Sequence, residues 1–194
     1  SAYLDKVQPD AVINPAAYTA VDKAEEEPEL AFTINQKAVQ EMARYCRAAG
    51  IPFIQVSTDF VFAGDSDTPY QPDAQTAPAG VYGQSKLAGE QAALAEYPDT
   101  YIVRASWIYS EHGNNFVKTM LRLGADRDAL TVVQDQAGTP TYARNLAKAL
   151  WQLLETQPEQ RLLHYSDAGQ TTWYDFARTI FDEAVGAGML DKAP

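Results

Sequence analysis

Apolar residues recur along this chain in two alternating rhythms. Short runs bounded by breakers, Ala11-Val12-Ile13-Asn14 stopping at Pro15 and Phe53-Ile54-Gln55-Val56-Ser57 opening after Pro52, have the length and flanks of buried strands. Between them Leu30, Ile34, Ala38, Met42 and Tyr45 return at spacings of three and four, which predicts a helix over 28–49 with those residues along its apolar face. Gly50 is placed to end that helix in the left-handed conformation, and Pro52 prevents its resumption. The cycle then repeats with a helix from about Tyr82 to Glu96 and a strand over 101–105. After these the pattern predicts a helix over 115–123, a strand over 130–133, a helix over 143–154, a strand over 162–165 and a helix opening at Thr172. There Thr172-Trp173-Tyr174-Asp175 fits a variant of the capping box. Strands alternating with helices of this length are βαβ units, so the predicted class is α/β, a doubly wound parallel sheet.

Composition narrows the function more than the fold. The 194 residues are 46% hydrophobic and 21% charged, ordinary globular usage, and carry 15 Lys and Arg against 26 Asp and Glu, a net charge of −11. That balance, without a basic cluster, argues against nucleic acid and against an anionic membrane as partners, and favours a small ligand. No apolar run approaches a membrane span, and the first ten residues lack the pattern of a signal peptide. The single cysteine, Cys46, forms no internal disulfide and reads as a small helix-core residue. Two histidines, His112 and His164, are too few for a zinc site rich in His and Cys, and a reducing cytoplasm is the simplest home. Glu25-Glu26-Glu27 reads as a solvated helix approach rather than a metal cluster. Asn35, polar within an apolar helix, is expected to satisfy buried backbone groups.

In an open α/β sheet, ligands bind beyond the carboxyl ends of the strands. Three such ends stand out. Asn14 to Thr19 offers Ala16-Ala17-Tyr18-Thr19, small residues that admit a flat ligand; Ser57 to Phe62 offers Ser57-Thr58-Asp59; Ala105 to Tyr109 offers Ser106-Trp107. The helix that follows the second end carries Tyr82-Gly83-Gln84-Ser85-Lys86, whose i, i+4 spacing puts phenol and ammonium on one face. A cation there is expected to depress the tyrosine pKa and make a proton donor and acceptor near neutrality. Taken alone the pair is weak, since an exposed Tyr–Lys helix pair shows the same spacing. Thr58 and Asp59 fit a turn cap as well as a site, and Trp107 fits a core as well as a ligand contact.

The longer segments are more specific as a set. Ala16-Ala17-Tyr18-Thr19-Ala20-Val21-Asp22-Lys23-Ala24-Glu25, Ser57-Thr58-Asp59-Phe60-Val61-Phe62, Val81-Tyr82-Gly83-Gln84-Ser85-Lys86-Leu87-Ala88-Gly89-Glu90, Arg104-Ala105-Ser106-Trp107-Ile108-Tyr109 and the run from Gly113 to Arg122 resemble the dTDP-4-dehydrorhamnose reductases. Those belong to the extended short-chain dehydrogenases/reductases. The resemblance implies a Rossmann-type sheet and hydride transfer from NADPH or NADH to the C4 ketone of a dTDP-sugar, a step of dTDP-rhamnose and cell-surface polysaccharide biosynthesis. It implies Tyr82 as the acid, Lys86 as its partner and ribose contact, and Thr58 as a hydroxyl donor to the carbonyl oxygen. It places Ala17, Tyr18, Thr19 and Val56, with Tyr82 and Lys86, along the dinucleotide. Thr58, Asp59 and Trp107 fall at the sugar nucleotide, where Trp107 would offer an apolar face. A homodimer is implied at family level, as is magnesium, with no residue of this sequence assigned to the metal.

The sequence departs from the family at Pro15, where a small residue is usual, and at Phe60, where Tyr is common. Nothing before Asp10 supplies the Gly-rich phosphate turn or the residue that selects NAD or NADP, and the chain ends short of the family's further substrate-side segment. The expectation is therefore a sheet incomplete at both ends, with a partial NAD(P)-binding domain over 1–170 and the start of a substrate-binding part over 171–194. Two other readings share the scaffold. One is a sugar-nucleotide epimerase or dehydratase; in dehydratases a Glu follows the Thr-Asp pair, a position held here by Phe60, which transfers no proton. The other is a nucleotide-binding regulatory subunit resembling the β subunit of methionine adenosyltransferase, against which the intact Thr58, Tyr82 and Lys86 argue.

Overall fold

The computed structural model describes residues 2–194. In chain order the elements are α1 (Ala2–Val7), β1 (Val12–Asn14), α2 (Val21–Ala24), α3 (Pro28–Phe32), a π-helical turn (Thr33–Lys37) and α4 (Ala38–Ala49). Next come β2 (Phe53–Thr58), a 3₁₀ turn (Asp59–Val61), α5 (Val81–Glu96), β3 (Tyr101–Ala105), β4 (Ile108–Tyr109) and α6 (Phe116–Asp126). The last are β5 (Ala137–Gly138), β6 (Thr141–Tyr142), α7 (Ala143–Thr156), β7 (Leu162–Tyr165), β8 (Thr171–Thr172) and α8 (Trp173–Gly186). They form two compact units: the chain up to Ala105 together with Ala149–Tyr165, and Ser106–Lys148 with Ser166–Pro194. These divisions fall elsewhere than the expected boundary after residue 170, because 106–148 group with the C-terminal segment.

The first unit is a four-stranded sheet, β1-β2-β3-β7, in which every neighbour is parallel. Register explains which side chains share a face. Gln55 lies beside Ile102 and Ser57 beside Arg104, while Val56 lies beside Val103. On one face Phe53 and Ile102 pack with Val39, Ala43 and Cys46 of α4 and Ala93 of α5. On the other, Val103 and Leu163 meet Ala149, Leu150 and Leu153 of α7. Helices on both faces make the sheet doubly wound, as the alternation of periods predicts. Gly50 takes φ 66° at the end of α4, the left-handed stop that its position requires.

Two expectations need correction. The buried stripe of the 28–49 helix is Ala31, Asn35, Val39, Ala43 and Cys46, one residue round from the predicted face, and Leu30 is 46% exposed. The cause is close approach. A Cβ on Gly89 of α5 would collide with the Asn35 carbonyl, so only small side chains fit where the two helices meet. Residues 130–133 form no strand. Leu130 and Val132 are instead half-buried against α6 and α8, and the Val133 carbonyl accepts from Tyr174 N at 3.0 Å, so the apolar run has a core without a ladder partner.

In the second unit Met120 of α6 packs on Ala177, Ile180 and Phe181 of α8. Both helices open on side-chain caps. Asn115 Oδ1 accepts from Lys118 N at 3.2 Å, and Thr172 Oγ1 accepts from Asp175 N at 3.0 Å, confirming the capping box variant. No helix among the described residues is long and apolar enough to cross a membrane.

Candidate functional site

Strand β2, buried along its whole length, delivers Thr58 to the carboxyl end of the sheet. Its hydroxyl both accepts from Phe60 N at 3.2 Å, capping the 3₁₀ turn, and donates to Asp59 Oδ1 at 3.1 Å. The cap and the site are therefore one arrangement rather than competing readings, because the cap is what fixes the hydroxyl. Phe60 sits edge-on to the Tyr82 ring, 5.5 Å between centroids. Gly83 lets α5 reach this turn, since a Cβ there would strike the Phe60 carbonyl.

Helix α5 is pinned from end to end. Glu25 accepts from Val81 N at 2.8 Å, holding one of the amides that a helix start leaves unpaired. Asn35 Nδ2 donates to Ser85 Oγ at 2.9 Å, and that hydroxyl donates to the Tyr82 carbonyl at 2.8 Å. Lys86 Nζ donates to the Val56 carbonyl at 2.8 Å, and Gln55 Nε2 donates to the same oxygen at 2.7 Å. Gln55 in turn accepts from Asn14 Nδ2 at 2.7 Å. One turn further along, Glu90 forms a buried pair with Arg104.

The first strand end is tied into the same assembly. Asn35 Oδ1 accepts from Tyr18 N at 2.8 Å and its Nδ2 donates to Tyr18 O at 3.1 Å, so its expected duty to backbone groups is what the structure shows. Tyr18 packs with Ala24, Ala31 and Tyr82, and its hydroxyl donates to Glu27 Oε2 at 2.7 Å. That bond to a carboxylate pushes the Tyr18 phenol up to about 12. Two of the three acidic residues at 25–27 thus have defined partners and are more than a solvated approach. Thr58, Asp59, Val56, Tyr82, Lys86 and the loop bearing Ala17, Tyr18 and Thr19 all lie in the first unit.

Electrostatics correct the expected tyrosine. Burial is the largest influence on Tyr82 and raises its pKa; the Thr58 hydroxyl pulls the other way, and the Asp59 charge adds to the rise. Lys86 does not depress it. That ammonium is turned to the Val56 carbonyl, and burial brings its own pKa down to about 8 against the opposing charge of Glu90. Asp59 is raised by burial, which its bond from Thr58 partly offsets. For Lys86 the consequence for stability has a definite sign. Below pH 8 both folded and unfolded chains hold the proton, and the folded one bears the cost of burying it. Between about 8 and 10.5 the unfolded chain binds more protons, so stability rises with pH, by about 3 kcal/mol for a shift of this size. Denaturant titrations of the protein and of Lys86→Met should therefore converge or cross over this window; parallel curves would remove the claim.

Trp107 lies in the second unit. Its φ is +48°, a strained value for a bulky residue, and its carbonyl accepts from Thr141 N at 3.1 Å. The ring stacks on Trp173 at 3.6 Å between centroids, and Gly138 packs so close that a Cβ would overlap the indole. Trp107 is thus partly covered by a second tryptophan that no spacing pointed to. Cys46 is fully buried, with its thiol pushed up to about 11, and is the core residue expected. Among the described residues no group of three or more His, Cys, Asp or Glu is placed to hold a metal ion.

A parallel α/β sheet with helices on both faces, carrying Thr58 at a strand end and Tyr82 and Lys86 on the next helix, is a Rossmann-like fold. Within it, the chain belongs to the family of the RmlD substrate binding domain, which it matches over residues 1–190. It is 49% identical over 180 residues to a dTDP-4-dehydrorhamnose reductase of Mycolicibacterium smegmatis, covering 92% of this chain and 55% of the relative. With the enzyme of the same name from Salmonella typhimurium it shares 45% over 188 residues, 95% of this chain and 63% of the relative. Among solved structures, the dTDP-4-dehydrorhamnose reductase of Bacillus anthracis in complex with NADP superposes with a TM-score of 0.90 at 40% identity, over 94% of this chain and 65% of that one. The chain spans 55% to 63% of the length of these two sequence relatives. A dTDP-glucose 4,6-dehydratase of Streptomyces venezuelae, 18% identical at a TM-score of 0.80, shares the fold alone.

Proposed function

We propose that this protein reduces the C4 ketone of dTDP-4-dehydro-6-deoxy-L-mannose to dTDP-L-rhamnose with NADPH or NADH, as a cytoplasmic enzyme of dTDP-rhamnose and cell-surface polysaccharide biosynthesis. The observation that carries this reading is the buried Tyr82, flanked by the Thr58 hydroxyl and followed one turn later by the buried Lys86. A nicotinamide cofactor, when held by Lys86 and the loop beyond β1, would supply the hydride. As negative charge develops on the ketone oxygen, Thr58 turns its one hydroxyl proton from Asp59 to donate to that oxygen, and Tyr82 delivers the proton. A raised phenol pKa suits this direction of reaction, because the group stays protonated and ready to donate at neutral pH.

The donor set fits a dinucleotide. Lys86 has three N–H donors and gives one to the Val56 carbonyl, leaving two for ribose hydroxyls. Ala17, Tyr18 and Thr19 line the loop beyond β1, and Val56 lies beside the lysine. Asp59 accepts from sugar hydroxyls, while the assignment of Trp107 to the sugar nucleotide rests on the family resemblance alone. The enzyme is read as acting on a small molecule, as a homodimer, without nucleic acid or membrane. Incubation with NADPH and dTDP-4-dehydro-6-deoxy-L-mannose should consume NADPH and yield dTDP-L-rhamnose. Absence of turnover together with stable co-purification of a partner enzyme would replace this reading with a regulatory one.

A further inference from the structure

The proposed chemistry leaves the buried Arg104–Glu90 pair without a role. Its side chains are 5% and 3% exposed, and an ion pair so far from water is no more stabilising than a well-packed apolar pair. What the guanidinium holds besides the carboxylate is therefore informative. Arg104 Nε and Nη2 donate to Glu90, at 2.9 Å and 2.7 Å, and Nη1 donates to the Pro72 carbonyl at 3.0 Å. The guanidinium also lies over the Phe62 ring, 5.0 Å from its centroid. Phe62 stacks on Tyr70 at 4.4 Å, and the Tyr70 hydroxyl accepts from Asp65 N and Ser66 N at 3.0 Å and 3.2 Å.

Apart from the bonds to Glu90, each of these contacts bears on residues 62–80, the irregular stretch that leaves the Thr58–Asp59 turn and enters α5 just before Tyr82. Within it the backbone is held by Ala74 N donating to Gln71 O and Ala77 N donating to Val61 O, too few bonds to fix its course. It also lies beyond the carboxyl end of β2, where an open α/β sheet receives ligands. We propose that Arg104, oriented by Glu90, is a positioning residue that fastens residues 63–80 beside the site and so sets the affinity for the sugar nucleotide. The affinity half of this inference rests on the reductase reading; the tether itself does not.

Arg104→Lys keeps the positive charge but loses the planar fork that serves Glu90 and Pro72 together. In the variant the amides of Asp65, Ser66, Ala74 and Ala77 should exchange hydrogen about tenfold faster, the loss expected for a hydrogen bond from a charged donor, while those of β2 and β3 keep their rates. KM for the sugar nucleotide should rise by about the same factor with kcat within about twofold. Unchanged exchange in 63–80, or acceleration spread equally over β2 and β3, overturns the tether. A fall in kcat at constant KM overturns the link to affinity. Should Arg104→Lys fail to fold, the double variant Arg104→Met with Glu90→Leu removes the pair without stranding a buried charge, and the same local acceleration is expected. If the unmodified protein shows no turnover, the reductase reading fails and exchange alone decides the tether.

Discussion

Tyr82→Phe is expected to lower turnover roughly 10²–10⁴-fold, the range typical of a positioned acid, while nucleotide affinity stays within about twofold. The substitution removes one oxygen and keeps the ring that packs with Ala24, Ala31 and Tyr18 and meets Phe60 edge-on, so the helix has no reason to move. Thr58 and Lys86 remain in place, which leaves the proposed ketone polarisation and ribose contacts intact. Steady-state kinetics with titration calorimetry of NADPH separates the two effects. A rate close to that of the unmodified protein would take Tyr82 out of the mechanism.

The second large effect concerns stability and reverses a general rule. Replacing glycine by alanine inside a helix ordinarily adds about 1 kcal/mol. At Gly89 the new methyl would meet the Asn35 carbonyl, backbone on both sides, with no flexible side chain to yield. Gly89→Ala should cost about 3 kcal/mol, the upper end for overpacking, which lowers Tm by roughly 6–12 °C in a chain of this size. Gly186→Ala, at the end of α8 with nothing within 4 Å, is the control and should raise Tm slightly. Calorimetry of both variants reads the difference in sign; a Gly89→Ala protein as stable as the parent would mean that α5 and the π-helical turn are not in close register.

The strand ends were legible because short apolar runs and breakers are local signals, and the candidate residues were picked out by their place after those strands together with the family resemblance. The buried face of the 28–49 helix was not. Ala31, Ala43 and Cys46 are weak marks in a hydrophobic pattern, yet they are the residues small enough for the approach to Gly89, while larger Leu30 is left at the surface. The direction of the Tyr82 shift was also hidden. Spacing on a helix tells which face two groups share, not that Lys86 turns to the Val56 carbonyl or that burial outweighs charge. Pairs such as Arg104 with Glu90 and Glu25 with Val81 N join separate elements, for which no periodicity exists. Trp173 looked like part of a helix cap, and its stack on Trp107 depends on two turns meeting in space.

Asn35 holds both ends of the Tyr18 peptide and, through Ser85, the backbone of Tyr82. The loop proposed to meet the cofactor and the helix that carries Tyr82 are therefore ordered by the same amide as the chain folds. The conformational entropy of arranging them is lost once, during folding, and not again with each molecule bound. Nucleotide association at this end of the sheet should then proceed with little ordering of the protein, and its affinity should reflect contacts made rather than disorder removed.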